Sequence, residues 1–236
     1  GIWQWAKSSY GSAWIFSGSS EMLYNGSDGV YITTNVYSCQ TLPSEPSSKF
    51  GLSSSLERTF GQLELTSVLV KIDTSGNWIT IDSSARQVYQ STQMIMLNQT
   101  LVLSGYVNSA ITNSTNLFGA SIPSHYRWGS VMIYYDTINE TVLEHFAVGI
   151  AAPSKDIVPR SLVKNSDGSY YASYRFSGGY SLNQINYTRN SVDGLLLLGF
   201  DSNHQLSFRS ETSGTSAPAN AYFGKVNGTT QFSAID

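Results

Sequence analysis

The chain has 236 residues, a formal net charge of −3, and 12% charged residues against 41% hydrophobic ones. This balance supports a packed core and excludes a disordered chain, which combines low hydrophobicity with high net charge. No basic stripe is present, so nucleic-acid binding is not expected. The leucine run at residues 195–198, like every other apolar run in the sequence, is too short to cross a bilayer, so membrane insertion is not expected either.

The single cysteine, Cys39, has no partner for an internal disulfide. We expect it to be a small buried apolar side chain, with an intermolecular disulfide as the alternative. A domain of this size without disulfides fits assembly in a reducing compartment, such as that of a virus built in the cytosol or of a phage.

The first part of the chain combines a strand signal with a loop and a helix candidate. Residues 30–37 are β-branched and aromatic, which predicts a strand. Residues 40–51 contain Pro43 and Pro46, and they predict a long surface loop. Residues 53–60 are the best helix candidate, of one or two turns, because the segment starts with a serine-rich capping pattern.

The best hairpin signal follows. Residues 63–72 alternate between apolar and polar side chains, residues 78–81 form a second strand-rich run, and residues 73–77 between them contain a glycine. This arrangement predicts two antiparallel strands joined by a tight turn. Residues 94–97 and 100–103 predict two further strands.

The next segments repeat the pattern. Residues 108–124 are polar, end near a proline, and predict a second long loop. Residues 131–135 and 141–148 predict strands that flank a turn at 136–139. Residues 169–176 are half aromatic and predict another strand.

The last hairpin signal consists of residues 195–200 and 205–208, which face each other across residues 201–204. Residues 210–220 are rich in Ser, Thr, Gly and Ala and predict a third long loop.

Strand signals therefore recur every ten to fifteen residues or so, which is the spacing found in sandwiches and barrels. We predict an all-β fold, an antiparallel β-sandwich or β-barrel with long polar surface loops. No fixed-period repeat is visible, which disfavours a propeller or solenoid. We predict one domain over residues 1–236, with a split near Pro123 as the alternative.

The histidines do not form a recognisable metal or nucleophile motif. His125, His145 and His204 lie outside any zinc-binding pattern, and no nucleophile-elbow motif is present. His145 is predicted to be a structural histidine in an apolar strand, and His204 a solvated residue in a turn. Residues 165–169 resemble the opening of a calcium loop but lack its later acidic ligand, so we predict a turn. Neither a metal nor a cofactor is predicted.

Glycoside hydrolysis requires two carboxyl groups facing each other. Glu140 and Glu144 are four residues apart, so an unbroken strand would place both on one face. Glu140 falls in the predicted turn, which weakens that pairing. We therefore expect surface carboxylates, and we do not expect an enzyme.

Aromatic residues are the remaining candidates for recognition. The chain has 5 Trp and 15 Tyr residues, most of which are expected in the core. His125, Tyr126, Arg127 and Trp128 follow a long polar loop and combine stacking surfaces with hydrogen-bond donors. We predict that these four residues bind a receptor or glycan. The alternative is that Trp128 anchors the following strand in the core.

The chain resembles a viral attachment domain of the astrovirus capsid-spike type, or the head of an adenovirus-type or phage fibre. The resemblance lies in length, strand spacing, low charge, long polar loops and the lone cysteine rather than in a motif, so it assigns no binding residue. It implies a domain on the virion surface that binds a host-cell receptor or glycan and carries the epitopes of neutralising antibodies. A capsid spike implies a homodimer, and a fibre head implies a homotrimer.

Two other functions remain open from the sequence. A secreted carbohydrate-binding lectin module would use the same exposed aromatic and hydroxyl-rich loops. A β-sandwich enzyme acting on polysaccharides would require the carboxylates to converge in one cleft.

Overall fold

The structure is a computed structural model of the whole chain. The residues that it describes are 14–15, 21–37, 48–53, 55–60, 65–83, 89–107, 115–122, 129–150, 157–183, 185–187, 193–213, 220–226 and 229–235.

Antiparallel strands make up nearly all of the described structure, together with one three-residue 3-10 helix, Gly26–Asp28. This confirms the predicted all-β class. In chain order the described strands are β1 (Trp14–Ile15), β2 (Glu21–Tyr24), β3 (Val30–Tyr37), β4 (Ser48–Ser53), β5 (Leu56–Phe60), β6 (Leu65–Ile72), β7 (Trp78–Ser83), β8 (Tyr89–Leu97), β9 (Thr100–Val107), β10 (Thr115–Leu117), β11 (Ala120–Ile122), β12 (Gly129–Asp136), β13 (Thr141–Ile150), β14 (Ile157–Lys164), β15 (Tyr170–Ser177), β16 (Tyr180–Leu182), β17 (Ile185–Tyr187), β18 (Asp193–Phe200), β19 (Leu206–Ser213), β20 (Asn220–Val226) and β21 (Thr229–Ile235).

The chain divides into two compact units. The first contains residues 1–91 and 115–121, and the second contains residues 92–114 and 122–236. A single domain over residues 1–236 stays a prediction.

The first unit contains a five-stranded sheet. β3 pairs with both β1 and β2 on one side and with β6 on the other, and β7 continues the sheet beyond β6. Val68, Val70 and Ile72 alternate along β6, so they share one face, and all three are buried in the core of this unit. Phe50 and Leu52 of the β4–β5 hairpin belong to the same core cluster.

The helix predicted at residues 53–60 is wrong, because β4 and β5 form a hairpin there. Leu56 packs against the core of the first unit, and pairing with β4 outweighs the local capping pattern.

The long loops are shorter than predicted. β4 begins at Ser48 inside the first predicted loop, and β19 continues to Ser213 inside the third. The second predicted loop contains the β10–β11 hairpin, whose turn residues Phe118 and Gly119 have φ of 50° and 90°.

The second unit contains two sheets that share one core. The six-stranded sheet has the order β17-β16-β13-β12-β9-β8, and the four-stranded sheet has the order β14-β15-β18-β19. Tyr134 and Phe146 from the first sheet and Tyr170, Tyr174 and Phe200 from the second belong to one buried cluster. Hydrophobic residues from two sheets that fill one core are typical of a β-sandwich. A further hairpin, β20–β21, was not predicted from the sequence.

The two lateral edges of this sandwich differ. At one edge, the Gln93 side chain donates to the Arg160 carbonyl and Lys164 Nζ donates to the Met96 carbonyl, both at 2.8 Å. These bonds connect β8 with β14. The outermost strands at the other ends of the two sheets are β17 and β19.

Three hairpin turns have the same five-residue geometry, and all three were predicted as turns. They comprise residues 73–77, 165–169 and 201–205, and in each the first N–H donates to the fifth carbonyl at 2.8–3.0 Å. The fourth residue has a positive φ: 82° at Gly76, 87° at Gly168 and 64° at His204. Glycine adopts this conformation at little cost, whereas a histidine adopts it only with strain.

Candidate functional site

The second unit contains a pocket of about 360 Å³ between β17 and the start of β19. We call it the edge pocket. Its lining comes from β12, β13, the β16–β17 connection and the β18–β19 turn, and it includes Tyr134, Glu144, His145, Asn183, Tyr187 and His204. Its volume lies within the roughly 300–1,000 Å³ of typical ligand pockets.

The turn between β18 and β19 positions His204. The Asp201 carboxylate accepts hydrogen bonds from the backbone N–H groups of Asn203 and Gln205, both at 2.9 Å. The His204 ring lies 4.4 Å from the Tyr134 ring, and its Nδ1 is 3.4 Å from the Tyr170 hydroxyl. The ring is therefore half-buried against the core, where sequence analysis predicted a solvated histidine.

Burial lowers the pKa of His204 below its usual value, although the charges of Glu144 and Asp201 act in the opposite direction. Burial likewise lowers the pKa of His145, against the charge of Glu144. Both imidazoles are therefore mainly neutral at pH 7, and each has one nitrogen that donates and one that accepts a hydrogen bond.

A pair of buried tyrosines lies beneath His204. The hydroxyls of Tyr134 in β12 and Tyr170 in β15 are 2.8 Å apart, so this hydrogen bond joins the two sheets. Both side chains are almost completely buried. Burial raises the pKa of Tyr134 well above its usual value, so its hydroxyl stays protonated and the pair stays neutral.

A β-bulge lies beside the pocket in β13. The register changes from Tyr134 opposite Glu144 to Tyr135 opposite Val142, which leaves Leu143 as the extra residue. Bulges of this kind alter the direction of nearby side chains. Glu144 and His145 both line the edge pocket.

The two carboxylates considered for hydrolysis are not brought together. Glu140 lies in the β12–β13 turn with a φ of 54°, as predicted, and is not part of the pocket lining. Glu144 is the only carboxylate among the described residues that line the pocket. The described lining therefore lacks the pair of acids that glycoside hydrolysis requires.

Asn183 connects β16 to β17 and is held rigidly. Its Oδ1 accepts a hydrogen bond from the Ala147 N–H at 2.9 Å, and its own N–H donates to the Ala147 carbonyl at 3.0 Å. Its φ of 41° is unusual for a residue other than glycine. These bonds fix the edge of the pocket to β13.

Tyr187 links the two edge strands. Its ring stacks on Tyr180 at 5.3 Å, and the Arg209 guanidinium of β19 lies 4.0 Å from the ring centre. This cation–π contact joins β17 of one sheet to β19 of the other. Arg209 is also 3.9 Å from the Glu211 carboxylate of the same strand.

Two of the exposed residues that line the pocket are apolar, beside the exposed polar residues Glu144, Asn183 and Gln205. Ile185 is 64% exposed and Leu206 is 39% exposed, and both belong to the lining. Apolar side chains together with a few fixed polar groups are the usual lining of a ligand pocket.

The predicted binding residues His125, Tyr126, Arg127 and Trp128 lie outside the described residues, so their role stays a prediction. Sequence analysis missed the edge pocket because its residues come from strands far apart in the chain. The one local signal is His204, which occupies the position that is glycine in the two turns of the same geometry.

The residues at 165–169 form a turn, as predicted. The Asp167 carboxylate accepts hydrogen bonds from the Ser169 N–H and hydroxyl. Across the described ranges, no group of three or more His, Cys, Asp or Glu side chains is arranged to hold a metal ion. In the same ranges, no helix has the length and apolarity needed to cross a bilayer.

Comparison with protein-family models, with curated proteins and with solved structures gives no match for this chain.

Proposed function

We propose that this chain is a viral attachment domain that binds a glycan or receptor on the host-cell surface, and that the edge pocket is its recognition site. The observation that carries the proposal is the pocket itself. It is open at the edge of a sandwich, it exposes the aliphatic side chains of Ile185 and Leu206, and it holds several polar groups in fixed positions. Pockets with this combination are the usual binding sites of small ligands and sugar residues.

The arrangement of the polar groups favours binding over hydrolysis. Asn183 and the His204 turn are held by backbone hydrogen bonds, so they present donors and acceptors without the cost of ordering a loop. Glu144 lacks a second acid in the described lining, whereas hydrolysis of a glycosidic bond needs two.

The composition supports a role on the outside of a virion. With 12% charged residues, the surface is solvated largely by hydroxyl and amide groups. Such a domain would carry the epitopes of neutralising antibodies, and it would form a homodimer as a capsid spike or a homotrimer as a fibre head. A secreted monomeric lectin is the alternative that the same pocket allows.

The test is the binding of the fluorescently labelled full chain to a panel of cultured cells. We expect saturable staining. We expect Ile185→Asp to weaken the binding affinity about tenfold or more, which corresponds to a loss of roughly 1.4 kcal/mol or more in binding free energy. This substitution places a charge where an exposed aliphatic side chain lines the pocket. The matched control is Ile138→Asp, because Ile138 is equally exposed at 62% but lies in the β12–β13 turn outside the pocket lining.

Two results would contradict the proposal. The absence of staining on every susceptible cell type would argue against attachment, and equal loss in both variants would argue against the edge pocket as the site. The mass in solution, measured by light scattering, separates the assemblies: a dimer supports a spike, and a trimer supports a fibre head. A monomer that binds a simple sugar would favour the lectin.

A further inference from the structure

We propose that the edge pocket binds an uncharged sugar residue and discriminates against sialylated and sulfated glycans. This inference rests on the proposed attachment function and specifies the ligand class of the same site.

The first argument is the charge of the lining. Among the described residues that line the pocket, none is a lysine or an arginine, and Glu144 contributes a carboxylate. Asp201 lies close enough for its charge to act on His204. An anionic sugar entering this pocket would meet negative charge and lose its hydration without gaining a cationic partner.

The second argument concerns Arg209, a cation that contacts the lining residue Tyr187. The Arg209 guanidinium covers the ring of Tyr187 and lies 3.9 Å from the Glu211 carboxylate. Its charge is therefore already shared between an aromatic face and an acid of its own strand. Proteins commonly bind a carboxylate or sulfate through an arginine whose guanidinium donates two parallel N–H hydrogen bonds to the anion.

The histidines do not supply the missing positive charge. Both rings are half-buried, and burial holds their pKa values below the usual range, so they are mainly neutral at pH 7. A neutral imidazole donates from one nitrogen and accepts at the other.

The third argument is the match between the polar groups and sugar hydroxyls. A hydroxyl donates one hydrogen bond and accepts others, and the pocket offers both kinds of group. Glu144 accepts, Gln205 donates and accepts through its amide, and His204 offers its Nε2, since its Nδ1 lies 3.4 Å from the Tyr170 hydroxyl. Ile185 and Leu206 at the mouth provide an apolar surface for the C–H face of a sugar ring.

The test uses an array of matched glycans and the full chain. The probes are N-acetyllactosamine, its sialylated form and its sulfated form, each on the same linker. We expect binding to the neutral glycan, with binding to both anionic forms weaker by about tenfold or more. The reverse order, or binding to none of the neutral glycans on a broad array, would overturn the inference.

Glu144→Gln tests whether the carboxylate causes the discrimination. This variant keeps the shape of the side chain and removes its charge, so we expect the ratio between neutral and sialylated binding to fall severalfold. A purely structural role would weaken all three probes equally and leave the ratio unchanged, which would overturn the assignment of Glu144. Ile138→Asp, outside the pocket, serves as the control that leaves the ratio unchanged.

Enzymatic treatment of cells separates this inference from the attachment function. If cells stain and sialidase leaves the staining unchanged or increases it, both proposals are supported. If sialidase abolishes the staining, attachment stands and the inference fails. If protease abolishes it while glycan removal does not, the receptor is a protein and the inference fails. If no cell stains but the neutral probe binds on the array, the inference stands and attachment fails.

Discussion

At the scale of single residues, His204 is one of five described residues other than glycine that have a positive φ. Gly76 and Gly168 occupy the same place in turns of the same hydrogen-bond pattern. A residue other than glycine with a φ near 64° costs roughly 1 kcal/mol or more. Strain of this kind persists at binding sites, where the side chain has a role that glycine lacks. The contacts of the His204 ring with Tyr134 and Tyr170 fit this view.

We predict that His204→Gly and His204→Ala separate the backbone from the ring. Both lose the ring contacts, but only glycine relieves the strain, so the alanine variant should be about 1 kcal/mol less stable than the glycine variant. Cell or glycan binding should fall in both. Urea unfolding measures the stability, and the staining assay measures the binding. Full binding by the glycine variant would show that the ring does not contact the ligand.

At the scale of elements, the edge pocket depends on how β12 and β15 are held together. The hydroxyls of Tyr134 and Tyr170 form a buried hydrogen bond across the two sheets. Removing the Tyr170 hydroxyl takes this partner from the buried Tyr134 hydroxyl, and removing the Tyr134 hydroxyl leaves that of Tyr170 only its longer contact of 3.4 Å with His204 Nδ1. Removing both leaves two apolar rings. Substitution by phenylalanine removes the hydroxyl and keeps the ring, so these variants measure the hydrogen bond separately from the packing.

We expect Tyr134→Phe and Tyr170→Phe each to lower the free energy of unfolding by about 1–2 kcal/mol. The double variant should lose clearly less than the sum of the two, because the hydroxyls interact. A double-mutant cycle by urea denaturation gives the coupling directly. Additive losses would mean that the two hydroxyls contribute separately, and that the bond does not connect the sheets energetically.

The strands could be predicted where their signals are local. The turns at residues 73–77 and 201–205 contain the side chains that form them, so the hairpins β6–β7 and β18–β19 were predicted correctly. The β10–β11 hairpin was missed because its strands have three residues each and its turn places Phe118 at a positive φ. β5 was mistaken for a helix because its pairing with β4 is not visible in a capping pattern.

The edge pocket could not be predicted in the same way. His145 lies in the six-stranded sheet, and His204 lies in a turn of the four-stranded sheet. Only the packing of one sheet on the other brings both residues into the lining of one pocket. The bulge beside Leu143 is equally invisible in a period-two pattern. The sequence did predict that Glu140 lies in a turn. This position argues against Glu140 as one of two catalytic carboxylates.

At the scale of the whole molecule, few charges determine how stability depends on pH. In the first unit, burial would raise the pKa of Asp28, but hydrogen bonds from Lys71 and Tyr31 and the charge of Lys71 outweigh it and lower the pKa below 3.8. A carboxyl with a lowered pKa contributes stability above its unfolded value and loses it only as the pH falls through the acidic range. Among the described residues, the groups with shifted pKa values that titrate between pH 7 and 5 are the two histidines of the edge pocket.

We predict that the free energy of unfolding decreases as the pH falls below about 6.5, the unperturbed value for histidine. Burial lowers the pKa of His145 and His204 in the folded chain, so the unfolded chain binds protons first as the pH falls. Stability therefore rises with pH across this window and is fully present above it. Urea midpoints measured from pH 7.5 to 5 test the slope, and the variant with both His145→Gln and His204→Gly should flatten it. A slope that is unchanged in this double variant would mean that other groups bind the protons. The edge pocket would then not link acid pH to the stability of the fold.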